Sequence, residues 1–109
     1  MPHNQHLAER VRSLLGDEPL LSERNMFGGV SFMLAGNYCC GVLNDDLVVR
    51  LRAEDAGKAL EKPHVRPMDF TGRPMKNWFY IAPEGIKTRR ALTTWVDRAR
   101  AFALSLPPK

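Results

Sequence analysis

Between Met26 and Arg52 the chain reads MFGGVSFMLAGNYCCGVLNDDLVVRLR, and this stretch constrains the fold more than any other. Apolar residues alternate or cluster over five to eight positions, and turn formers fall between the clusters, which is the pattern of short strands in a meander. Ala35-Gly36-Asn37 supplies one tight turn and Asn44-Asp45-Asp46 the next, from residues that tolerate positive φ or bond their own backbone. Val30, Phe32 and Leu34 share one face of the first strand, as do Leu47, Val49 and Leu51 of the third. That face predicts the core side of an antiparallel sheet. The other face carries Ser31, Arg50 and Arg52 together with Met33, Val48 and one cysteine, a mixed surface on which a partner or a second copy of the chain could lie.

The remaining elements follow from periodicity. From Asn4 to Leu15, Leu7, Val11, Leu14 and Leu15 form one helical stripe, and Gly16 followed by Pro19 ends it, the glycine being able to close the helix in a left-handed conformation. From Ser22 to Asn25 the chain becomes polar before it enters the meander. Glu54 to Leu60 is a short helix with acids in its first turn, stopped at Pro63. Met68-Asp69-Phe70 and Met75 to Ile81 read as a second hairpin around Thr71-Gly72-Arg73-Pro74, with Trp78, Phe79, Tyr80 and Ile81 strongly disposed to a strand. Thr88 can cap the last helix, where Leu92, Trp95, Val96, Ala99, Phe102, Ala103 and Leu106 repeat at helical spacing. Trp95 and Phe102 on that stripe predict core rather than a base-stacking platform.

A chain of 109 residues with 44% hydrophobic and 26% charged residues suffices for one core, so residues 1–109 are expected to form a single domain. No apolar run reaches the roughly 18 residues of a membrane span, and the first twelve residues lack the apolar segment of a signal peptide. A cytoplasmic location is the expectation. Cys39 and Cys40 are adjacent, which fits neither a disulfide framework nor zinc-ligand spacing. On a regular strand their side chains point to opposite faces.

Formal charge is +4, unevenly placed. Residues 1–49 hold three basic and six acidic side chains, and residues 50–109 hold thirteen basic and six acidic, giving −3 and +7. Such asymmetry fits an anionic partner, and Arg50, Arg52, Arg73 and Lys76 are the expected nucleic-acid or partner contacts if the two hairpins adjoin. No recognised nucleic-acid motif is present. His3 and His6 lie at a terminus, too few to hold a metal, and Gly28-Gly29 lacks the lysine and helix start of a phosphate loop. Glycines within a strand fit better as a bulge or as a place where another backbone passes closely. His64 with Asp69 can be drawn as a base and its orienter, without a nucleophile. No catalytic residue, metal or cofactor is expected, and the chain is expected not to be an enzyme.

Arg24-x-Met26-Phe27-Gly28-Gly29-Val30, the two turns, the strand ending in Ile81-Ala82-Pro83-Glu84, and Leu92-x-x-Trp95 with Ala99 beyond together resemble the N-terminal domain of the TfoX/Sxy regulators of natural competence. The resemblance implies a two-layer α+β fold of order α-β-β-β-α-β-β-α, with helices packed on one side of an antiparallel sheet, akin to secretion-chaperone-like folds. Pattern and resemblance agree on that order. Full-length members promote transcription of DNA-uptake genes, are thought to cooperate with a cyclic-AMP-dependent activator, and carry a second, C-terminal helical domain. This chain is expected to be a stand-alone member that stops without it. The function implied is a regulatory or adaptor domain acting through protein contacts, with the transcription machinery or its own second copy as partner in a homodimer. Non-specific nucleic-acid binding through the basic later half is the alternative, and no membrane partner is expected.

Overall fold

The computed structural model describes residues 4–26, 28–69, 72 and 76–108. It is an α+β fold of three α-helices and one six-stranded sheet. Helix α1 (Gln5–Leu15) leads into β1 (Leu21–Met26), β2 (Gly29–Leu34), β3 (Asn37–Leu43) and β4 (Asp46–Arg50), followed by α2 (Ala53–Ala59), β5 (Val65–Pro67), β6 (Trp78–Ile81), a 3-10 turn (Pro83–Ile86) and α3 (Arg89–Ser105). The strands lie in the order β1-β2-β3-β4-β6-β5, every neighbour antiparallel.

The cap anticipated at Thr88 forms, and Asn4, not singled out from sequence, caps α1 in the same way. Asn4 Oδ1 accepts from Leu7 N at 3.0 Å and Thr88 Oγ1 from Ala91 N at 3.1 Å, each satisfying an otherwise orphaned first-turn donor. Gly16, by contrast, stays right-handed at φ −60. The chain leaves α1 through a tight turn in which Glu18 N donates to Leu15 O, and no left-handed residue is needed.

All three helices pack on one face of the sheet. Val30, Phe32, Leu34, Val42, Leu47, Val49, Phe79 and Ile81 form a single buried cluster with Leu7, Val11 and Leu15 of α1, Ala56 and Ala59 of α2, and Leu92, Val96, Ala99 and Ala103 of α3. The Gly28-Gly29 pair has the structural role expected: a Cβ on Gly29 would lie 2.1 Å from Val42 O, a distance no side chain accepts.

Four features differ from the sequence reading. Residues 22–25, read only as a polar stretch ahead of the meander, are the middle of β1, which pairs with β2 along its whole length. The segment is too polar to announce itself, and its place at the sheet edge explains why it can be. Second, the later hairpin pairs Val65–Pro67, rather than 68–70, with Trp78–Ile81; Phe70, Thr71, Arg73, Pro74 and Met75 lie outside the described residues. Third, Arg52 is not on the strand: β4 ends at Arg50, and Arg52 precedes α2 in extended conformation as its N-cap.

The fourth difference concerns the cysteines. The β2–β3 register pairs Phe32 with Cys40 but Met33 with Tyr38, so Cys39 is one residue too many. An extra residue in one strand breaks the period-2 alternation. Cys39 and Cys40 therefore both sit in the helix-side cluster, and Tyr38 joins the opposite face. There Tyr38, Met33, Val48, Tyr80 and Met68 are all buried, with Met26, Leu43 and Trp78 packed against them. The centre of the outer face is thus a second, smaller core rather than an open surface.

Candidate interaction surfaces

The four cations singled out from sequence can be placed as follows. β4 and β6 are neighbours, Arg50 opposes Trp78, and Leu51 N donates to Asn77 O at 2.9 Å, so the two hairpins do adjoin and bring Arg50, Arg52 and Lys76 to one end of the sheet. Arg50 is half-buried, its guanidinium 5.6 Å from the Trp78 ring centroid and 5.1 Å from that of Phe102, a cation–π arrangement with both rings. Arg52 faces carboxylates of its own helix, Asp55 at 3.3 Å and Glu54 at 3.9 Å. Lys76 is exposed, with no carboxylate within 4 Å among the described residues. Arg73 lies outside the described residues.

Lys76 borders an apolar groove of about 380 Å³ between α2 and the end of the β5–β6 hairpin. Its α2 wall is Ala53, Ala56, Gly57 and Leu60, and its far wall Pro67, Asn77 and Phe79. The spacing 53, 56, 57, 60 places these residues on one helical face, and the small side chains keep that face flat. Leu60 leaves 53% of its surface in water, although leucine is commonly buried.

Two further grooves flank the first half of α3. One, of about 350 Å³, lies against α1 and is lined by His6, Glu9, Arg10, Ser13, Leu14, Arg89 and Leu92. Arg10 forms part of its wall and donates to Ile86 O at 2.9 Å. The other, of about 360 Å³, is bounded by Lys62, His64, Glu84, Thr94, Trp95 and Arg98. His64 adopts a left-handed φ of 68°, and its Cβ would lie 3.2 Å from a Cβ on Gly85; the glycine lets the His64 segment pack against the 3-10 turn. Asp69, drawn from sequence as a partner for His64, instead acts on Tyr80, whose hydroxyl is pushed above its usual pKa by burial first and by Asp69 second.

The sequence reading did not single out Lys62, Lys87, Arg89, Arg90 or Arg98. Each is isolated in the chain or sits in a doublet, and only the packing of α3 between α1 and the segment after α2 gathers them. Among the described residues no group of three or more His, Cys, Asp or Glu could hold a metal ion, and no helix is long and apolar enough to cross a membrane.

The sequence matches the family described as the TfoX N-terminal domain over residues 13–103. The chain belongs to the TfoX N-terminal domain family. A search of curated proteins finds no match. The TfoX N-terminal match takes in the whole α2 groove and the whole His64 groove, whereas His6, Glu9 and Arg10 of the α1 groove precede it.

Proposed function

We propose that this chain is a non-enzymatic regulatory domain that works by holding a partner protein, and that the partner seats an apolar side chain in the α2 groove with a carboxylate directed at Lys76. The observation that carries this reading is the flat apolar wall of Ala53, Ala56, Gly57 and Leu60 opposite Phe79 and Pro67, with Leu60 half in water at its mouth. Interfaces are commonly anchored by such pockets with a polar or charged rim. Membership of the TfoX N-terminal family supports a regulatory role, and transcription of DNA-uptake genes is the output to examine first.

The test pairs deletion with a single exposed substitution. Transcripts are compared in cells lacking the gene and in cells complemented with wild type or Leu60→Arg. The expected result is a set of transcripts restored by wild type and not by Leu60→Arg, while the melting temperature of the variant stays at or above that of wild type. Unchanged transcripts on deletion would sink the regulatory reading, and full rescue by Leu60→Arg would remove the groove from it.

A further inference from the structure

We propose that the free edge of β1 is a second binding surface, which takes one extended segment of a partner protein as a further, antiparallel strand of the sheet. It shares no residue with the α2 groove and does not depend on that reading.

The ladder fixes which backbone groups are free. Ala35 N donates to Leu20 O at 3.1 Å, so residues 20 and 35 form a hydrogen-bonded pair, and the unbroken register from Leu21↔Leu34 to Met26↔Gly29 continues the alternation. Ser22, Arg24 and Met26 therefore turn their backbone groups toward β2, and Leu21, Glu23 and Asn25 turn theirs away. Leu21 N is taken by Glu18 O at 3.3 Å. The carbonyls of Leu21, Glu23 and Asn25 and the amides of Glu23 and Asn25 remain, with no protein partner among the described residues.

The far edge of the sheet is closed by contrast. Ala82 N donates to His64 O at 2.8 Å and Met68 N to Trp78 O at 2.9 Å, which puts Val65 and Pro67 in the outward positions of β5. That strand has three residues, and its outward proline has no N–H to offer. Short strands and outward prolines are how sheets protect an edge. β1, with six residues and no proline, is left open.

Side chains choose the occupant. Arg24 is exposed and has no carboxylate within 4 Å among the described residues, whereas Glu23 is already held by Arg12. Toward the open edge Arg24 occupies a non-hydrogen-bonded site, where facing side chains come closest, so an acid fits opposite it. Leu20, immediately before the strand, leaves 55% of its surface in water, and Met26 at the other end is half-buried. Both share the parity of Arg24, so they call for apolar side chains on the same face of the incoming strand. Read from its own N-terminus, that strand carries an apolar residue, any residue, an acid, three residues of any kind, and a second apolar residue. A second copy does not supply this. About a two-fold axis only residues of equal parity face each other, and Glu23, the one acid of β1, has the other parity.

The test is fluorescence anisotropy of the labelled peptide Ser-Val-Thr-Glu-Thr-Thr-Thr-Val-Ser, with protein up to about 1 mM. Saturable binding is expected. N-methylation of the threonine after the glutamate removes the N–H aimed at Glu23 O and should weaken binding at least about tenfold; N-methylation of the glutamate, whose N–H points away from β1, should leave it unchanged. Lysine in place of the glutamate should weaken binding to wild type about fivefold and strengthen binding to Arg24→Glu. Asn25→Pro removes an outward amide that the β2 ladder does not use, so it should abolish binding with the melting temperature near that of wild type; should it fail to fold, the two N-methylated peptides still decide. No binding at the highest concentration would overturn the proposal, as would equal weakening by the two N-methylations or a lysine peptide that binds wild type equally well. A wild type that sediments as a dimer beside a monomeric Asn25→Pro would overturn it in favour of a second copy. Leu60→Arg should bind the peptide like wild type, so failure of the α2-groove reading and failure of this one are separately visible.

Discussion

The two faces of the sheet solve the same burial problem with different chemistry. The helix side is aliphatic and closed, with Phe32, Leu34, Leu47, Val49 and Ile81 fully buried beneath three helices. The outer side uses Met33, Tyr38, Met68 and Tyr80, long or aromatic side chains that can fold over a sheet face that no helix among the described residues covers. Its polar groups are absorbed locally: Tyr38 bonds Ser31, and Arg66 lies 4.5 Å from the Tyr80 ring centroid while bonding Asp46 at 2.8 Å. One face is held by rigid elements, the other by side chains lying across the strands. The second kind of packing should yield more easily.

Truncation is the largest test of that contrast. Phe32→Ala should cost about 3–5 kcal/mol, since three packed helices limit how far the cavity can collapse, and Met33→Ala on the other face about 2 kcal/mol. Equal losses in urea melts would break the comparison. Smaller effects come from glycine. A Cβ on Gly41 would lie 2.5 Å from the Tyr38 hydroxyl and 2.6 Å from Val30 O, so Gly41→Ala should destabilise by about 1–3 kcal/mol. Gly57, with open space at its Cβ in α2, should gain about 0.5–1 kcal/mol on becoming Ala. Opposite signs in thermal melts are the expected outcome.

Alkaline pH sharpens the comparison further, because each face buries an acid. Tyr38 on the outer face is raised well above its usual pKa, chiefly by burial. Cys40 on the helix face is raised by its hydrogen bond with Cys39 and then by burial. Both ionise more readily unfolded than folded, so their contributions are intact below the unfolded pKa values and are lost as pH rises past about 8.5 for cysteine and about 10 for tyrosine. Above pH 10 the Tyr38→Phe variant should lose stability less steeply than wild type, by about 1.4 kcal/mol per pH unit. Parallel curves would show that Tyr38 ionises freely in the native state.

The smallest effect belongs to the ion pair that ties α1 to β1. Arg12 meets Glu23 through two hydrogen bonds, 2.7 and 2.9 Å, and the first of these causes holds Glu23 below its usual pKa. The pair is partly exposed, so Glu23→Gln should cost about 0.2–1 kcal/mol near pH 7. Wild type should lose that margin as pH falls below about 4.3 and through the lower folded value. A difference that persists at pH 2 would assign the effect to packing instead.

What could be read from sequence was whatever is local. The stripe of α3 from Leu92 to Ala103, the cap at Thr88, and the turns at Ala35-Gly36 and Asn44-Asp45 depend on residues a few positions apart, and they stand as read; Leu106, read onto the stripe, lies just past the helix end. β1 escaped because its hydrophobic pattern is nearly blank: Leu21-Ser-Glu-Arg-Asn-Met26 becomes a strand only once β2 offers its edge. The extra residue at Cys39 leaves no mark either, since Tyr38, Cys39 and Cys40 suit either face by composition. The basic residues around α3 are likewise scattered in the chain and adjacent only after α1 and residues 62–64 have packed. Arg50 was legible as a strand cation, but not its place between Trp78 and Phe102.

The outer edge of β1 carries one last implication, for how the protein behaves when crowded. Alternate residues of this six-residue strand turn backbone groups away from β2, an edge on which another strand could pair. Two copies joined edge to edge about a two-fold axis must keep their faces aligned, so only pairings of residues with equal parity are allowed. The two such registers that overlap most set Glu23 against Glu23 or Arg24 against Arg24, and like charges directly opposed destabilise a ladder. The polar sequence that hid this strand from view is thus also what disfavours pairing two copies edge to edge along it.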